Sequence, residues 1–194
     1  MSYAESSGYH KDMVNNRTLT ASIGVAFFIL ATALGAYVRI PVHGSPVPIT
    51  LQTFFVIMAG AVLGKRLGLY SQIGYLLAGA SGLPLFQGAA SGVSYLMGPT
   101  GGYLIGFVAC AFTVGFIMDS VKPGIAAMIA VFALGVLIIY ASGILWLVYA
   151  YKMDLTSAIV AGALPFIPAD AAKIAIASAL YSKISRRSRQ IFSA

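Results

Sequence analysis

The chain has 194 residues, 59% of them hydrophobic and only 9% charged, where a soluble domain carries roughly a quarter. This excludes a water-soluble enzyme, and the net charge of +7 does not point to nucleic acid, because its basic residues sit scattered at the ends of apolar runs. The single cysteine, Cys110, excludes an intrachain disulfide.

The apolar runs are long and continuous, not short alternating segments, which predicts helices and not a barrel. Roughly 20 apolar residues of helix cross a hydrocarbon core of about 30 Å. Residues 1–17 are polar and read as a segment outside the membrane, followed by one membrane domain over 18–185 and a basic tail over 186–194. The first span runs from about Leu19 to Val38 and stops at "RIPVHGSPVP", whose prolines cannot continue a helix. A second begins near Ile49 and ends at "GKRLG", and a third, short one covers about Leu67 to Ala80. Then comes "SGLPLFQGAASGVSYLMGPTGG", too apolar for a loop dangling in water and so expected to fold against the protein. A fourth span covers about Tyr103 to Met118, and a fifth about Ile125 to Tyr149. "DLTSAIVAGALPFIP" reads as a half-helix broken by Pro165 and Pro168, leading to a last span from about Ala169 to Ile184. The expectation is an all-α integral membrane protein, a six-helix bundle with apolar capping loops.

Charge tests that count. With both termini on one side, that side carries Lys11, Arg17, Lys65, Arg66, Lys122, Lys183, Arg186, Arg187 and Arg189, and the other only Arg39 and Lys152. The positive-inside rule then predicts a multi-pass protein of the cell membrane with both termini in the cytoplasm.

Lys173 is the basic residue left over, three positions after Asp170 in "PFIPADAAK". At that spacing the two share a helix face near its start. Charges held within a membrane segment line a cavity or an interior, so the pair is a candidate for binding a polar ligand, for a proton relay, or for an internal ion pair. Gln52, in "PVPITLQTF", is expected one turn into the second span, where its amide could meet a ligand or a neighbouring helix. Gln72 and Gln87 are further candidates of this kind. Tyr103, Tyr140, Trp146 and Tyr149 could line a pocket or form an interfacial belt. Gly60, Gly64 and Gly68, Gly102 and Gly106, and Ala31 and Gly35 have the spacing of close helix approach. No carboxylate or cysteine cluster joins His10 or His43, so no metal is expected, and "GAVLGKR" is not a nucleotide-binding loop.

"SPVPITLQTF", "GLPLF", "GPTGGYLIGF" and "PFIPADAAK", in this order, resemble the biotin-specific substrate-binding (S) component of energy-coupling-factor (ECF) vitamin transporters, the BioY family, over about residues 40–180. The resemblance implies a six-helix, non-enzymatic membrane subunit that captures biotin from the outer face under loops after helices 1 and 3. Its transport would be driven by a separate transmembrane coupling (T) protein and two ATPases. Biotin would be the transported ligand, with no resident cofactor. Asp170 and Lys173 would contact it, with Gln52 and Tyr103 as further ligand-binding candidates. Ala31 and Gly35 are expected to help form the docking face for the partner. Rival readings are an S component for another small vitamin and an intramembrane enzyme using Asp170 as acid or base. Ala169 departs from the glycine usual before this aspartate.

Overall fold

The computed structural model describes residues 3–121 and 124–192, without the side chains of residues 3–16, 186 and 189. Of the residues used in the charge count, Lys122 and the side chains of Lys11, Arg186 and Arg189 lie outside that description. Seven α-helices occur among the described residues: α1 (Tyr3–Tyr37), α2 (Gln52–Ala80), α3 (Val93–Leu96), α4 (Gly101–Ser120), α5 (Ile125–Tyr151), α6 (Leu155–Gly162) and α7 (Ile167–Phe192). Five stretches are long and apolar enough to cross a membrane, with α6 and α7 counted as one.

The tally differs from six separate spans because the second and third expected spans are one assigned helix, α2, with a sharp reversal inside it. Gly64 has φ 78° and ψ 178°, a conformation open almost only to glycine. Gln52 Nε2 donates to the Tyr75 hydroxyl at 2.7 Å across 23 residues. A straight helix would separate them by about 34 Å. The two arms, 52–63 and 65–80, therefore lie antiparallel, and a Cβ added to Gly68 would fall 3.0 Å from Gly60 Cα.

Close approach recurs where the sequence placed small residues. Gly60 and Gly115 bring α2 against α4: Gly60 has no room for a Cβ against the Ala111 carbonyl, and a Cβ on Gly115 would lie 2.5 Å from Lys65 N. Gly102 and Gly106 accept α5 side by side with Ser142, Trp146 and Ile139. Around these contacts a core of Val56, Ile57, Cys110, Val114, Phe132, Ile139, Tyr181 and others is almost wholly buried. Outward-facing residues of α1 are large and apolar instead, among them Ile23, Phe27, Leu30 and Leu34, as a lipid-facing helix requires.

The loop "VRIPVHGSPVP" closes as a small hairpin. Arg39 pairs with Thr50 and Ile40 with Ile49, antiparallel. Leu51 N donates to the carbonyls of Gly35 and Val38, seating the start of α2 on the end of α1. Gln52 is thus the first residue of α2, not one turn inside it. The glycine-rich loop over 81–100 is folded onto the bundle, as expected. Phe86 is fully buried between Tyr75 and Tyr95, although Leu83 is exposed. Tyr37 donates to Pro84 O, Tyr75 to Leu85 O, Trp146 Nε1 to Gly98 O and Tyr151 to Met97 O, so both ends of this loop are fastened by side chains of the bundle.

The half-helix is α6, capped by Asp154, whose carboxylate accepts from Ser157 N at 2.9 Å. A short 3-10 turn over Leu164–Phe166 leads to α7. That helix starts two residues earlier than expected, with Pro168 in its first turn, where a missing N–H costs nothing. It continues to Phe192, whose ring packs over Gly24, beyond the expected boundary at 185.

Candidate functional site

At the end of the bundle opposite Lys65 and Arg66 lies a recess whose empty volume, including its open mouth, is about 560 Å³. Its walls come from six parts of the chain: Val47 to Thr50 of the hairpin, Gln52 and Thr53 of α2, Gln87, Tyr95 and Thr100 of the folded loop, Tyr103, Leu104 and Phe107 of α4, Ile139 and Tyr140 of α5, and Phe166, Asp170 and Lys173 at the start of α7. Most of the lining is apolar or aromatic, and the polar groups converge on one side.

Asp170 and Lys173 lie at the centre of that polar side. Lys173 Nζ is 2.7 Å from Asp170 Oδ1, the one ion pair among the described residues. The ammonium also donates to the Thr50 carbonyl and, at 3.0 Å, to Thr53 Oγ1. The Thr53 hydroxyl in turn donates to Asp170 Oδ1 at 2.8 Å, and the Tyr140 hydroxyl donates to Oδ2. Asp170 is 3% exposed, so its charge is tolerated only because these donors and the first turn of α7 surround it. The arrangement leaves Oδ2 with an unused acceptor direction beside the recess. It joins α2, α5 and α7 at one point.

Gln52 lines the recess, but its amide is already engaged: Oε1 accepts from Thr50 Oγ1 at 3.3 Å, and Nε2 donates to Tyr75. One amide N–H remains for a ligand. Tyr103 offers its ring to the recess and commits its hydroxyl to Gly162 O at 2.8 Å, which fastens α6. Gln87 lines the mouth and accepts from the Tyr95 hydroxyl at 3.2 Å. Gln72 is elsewhere, buried beside Thr32 and Ser71.

Of the network, sequence reasoning does not single out Thr53, and it leaves Tyr140 open between a pocket and an interfacial belt. Thr53 lay inside the quoted "PITLQTF", next to Gln52. Tyr140 resembled an interfacial aromatic, but it is 7% exposed and points at Asp170; Tyr149, 71% exposed, does fit a belt. Trp146 serves the loop carbonyl of Gly98.

Ala31 and Gly35, expected to help form a docking face, are both buried within this chain. Ala31 is 6% exposed, and a Cβ on Gly35 would meet Gln52 N and the Phe55 ring at 3.0 Å. At Gly35 the small size serves the contact between α1 and α2 within this chain. No group of three metal-ligating side chains comes together among the described residues.

The sequence profile of the BioY family matches residues 10–190. The chain belongs to the BioY family. It is 38% identical over 164 residues to the biotin transporter BioY of Thermotoga maritima, covering 84% of this chain and 95% of that one. It is 31% identical over 183 residues to the biotin transporter BioY of Lactococcus lactis subsp. cremoris, covering 90% and 95%. Among solved structures, the S-component for biotin from an ECF-type ABC transporter superposes with a TM-score of 0.83 at 26% identity, covering 89% of this chain and 94% of that one. These family members are named as transporters and none of them as an enzyme, which speaks against the intramembrane-enzyme reading.

Proposed function

We propose that this chain is the biotin-binding S component of an ECF-type uptake transporter. The observation that carries the reading is the Asp170–Lys173 pair, held by Thr53 and Tyr140 on one side of an otherwise apolar recess. Biotin has an apolar thioether ring, a ureido group with two N–H donors and one oxygen, and a carboxylate on an alkyl chain. The aromatic and aliphatic walls suit the ring. The Asp170 carboxylate accepts a ureido N–H, Lys173 donates to the ureido oxygen in exchange for a bond to Thr50 or Thr53, and the Gln52 amide supplies one further donor. Tyr103 contributes ring contact.

The two arms of α2 count as separate passages, so the chain crosses the membrane six times. Arg17, Lys65, Arg66, Lys183 and Arg187 then share the cytoplasmic side with both termini, while Arg39 and Lys152 lie outside with the recess. The hairpin over 39–50 and the loop over 81–100 cover the recess from the outer face. A T protein and two ATPases supply the energy. Equilibrium binding of labelled biotin to the purified chain, competed with other vitamins, tests the reading: biotin alone should compete at low concentration, and displacement by a different vitamin at lower concentration would replace it.

A further inference from the structure

We propose that Arg39 is the rim cation that receives the carboxylate of the bound vitamin, making it a determinant of specificity for an anionic tail. The inference rests on the biotin reading above. Within the recess the charges already cancel. Lys173 is the only cation among the described lining residues, and its three donors go to Asp170 Oδ1, Thr53 Oγ1 and the Thr50 carbonyl. A ligand that adds a carboxylate to this neutral, largely apolar space needs a further cation, because an unpaired carboxylate is costly away from water.

Arg39 is the cation in position to supply it. It pairs across the hairpin with Thr50, which lines the recess and accepts from Lys173. Its guanidinium reaches over to the folded loop, where a Cβ added to Gly88 would lie 2.8 Å from Nη1. Gly88 follows Gln87, and Gln87 and Tyr95 form the lip of the recess with a hydrogen bond between them. The Tyr95 phenol, raised in pKa by burial, is pulled back by its hydrogen bond with Thr100 and by the charge of Arg39, which places that charge at the same lip. Arg39 is exposed and has no carboxylate partner among the described residues, so its fork of donors is free for a bidentate carboxylate. Lys152, the other described cation at this end besides Lys173, follows α5 and belongs to neither the hairpin nor the folded loop, which makes it a charge-matched control.

The test compares biotin with its neutral carboxamide in equilibrium binding to the purified full chain, for the parent, Arg39→Gln, Arg39→Lys and Lys152→Asn. Arg39→Gln should weaken biotin roughly tenfold and leave the carboxamide within about twofold. Arg39→Lys should recover part of the loss, Lys152→Asn should change neither ligand, and raising salt from about 20 to about 500 mM should narrow the difference between parent and Arg39→Gln. Equal weakening of both ligands would make Arg39 a loop fastener, and no weakening would make it irrelevant; either result overturns the proposal, as does the same selective loss in Lys152→Asn. A parent that binds neither ligand would instead refute the biotin reading, and with it this inference.

Discussion

Lys173 Nζ and Asp170 Oδ1 are 2.7 Å apart on the first turns of α7, and neither group depends on the other alone. Thr53 stands between them, accepting from the ammonium and donating to the carboxylate, while Tyr140 holds the second oxygen. The pair is therefore a fastening between three helices, set in the wall of the recess.

Removing one charge strands the other in a buried place. Asp170→Asn or Lys173→Met should each lower the unfolding free energy of the ligand-free protein by roughly 3 kcal/mol, and the double replacement should recover much of that loss. Denaturation of the four proteins in one detergent checks this, and additive losses in the double variant would contradict it.

Gly64 should tolerate no side chain. Its φ of 78° with ψ of 178° is strained for any other residue, and an added Cβ would also lie 2.7 Å from Asp119 Oδ1. Gly64→Ala should cost about 1–3 kcal/mol from the backbone alone. Gly124→Ala, at a position with nothing within 4 Å, should stay within about 0.5 kcal/mol of the parent. Equal melting temperatures for the two variants would show that the reversal in α2 does not need glycine.

Gly35→Leu should damage binding and stability together. The added side chain would push against Gln52 N and Phe55, displacing the start of α2 that carries both Gln52 and Thr53. Overpacking of this kind costs about 1–3 kcal/mol. A variant that melts and binds biotin like the parent, yet fails in transport, would restore Gly35 to a docking face.

The Asp154 cap gives an acid-side signature. The hydroxyl and then the N–H of Ser157 hold its carboxylate below the ordinary value of 3.8. A folded-state pKa below the unfolded one contributes stability that is present above the unfolded value and is lost as the pH falls through the folded one. Asp154→Asn keeps a capping oxygen without titrating, so its melting temperature should fall less steeply below about pH 4 than that of the parent. Parallel acid limbs would contradict the assignment.

Much of this architecture was legible because membrane helices are read from uninterrupted apolar length, and the loops from proline and glycine. The reversal at Gly64 was not, since a positive φ leaves no trace in "GKRLG" beyond the glycine itself. Nor was the two-residue pairing of Arg39–Ile40 with Ile49–Thr50, which is too short for a periodic pattern yet sets Gln52 at a helix start. At the site, Asp170 and Lys173 stood out because charge is rare in such a chain. Tyr140 did not, because its role comes from the packing of α5 on α7, 30 residues away. Small-residue spacing announced that Gly35 faces a close neighbour, and could not say that the neighbour is α2.

The central claim is that Asp170 and Lys173 hold biotin directly, and the biotin affinity of the Asp170→Asn, Lys173→Met double variant tests it most directly. Because the double variant keeps no stranded charge, it should remain folded, and its Kd for biotin should rise by roughly two orders of magnitude or more. A folded double variant that binds biotin as tightly as the parent would contradict the account.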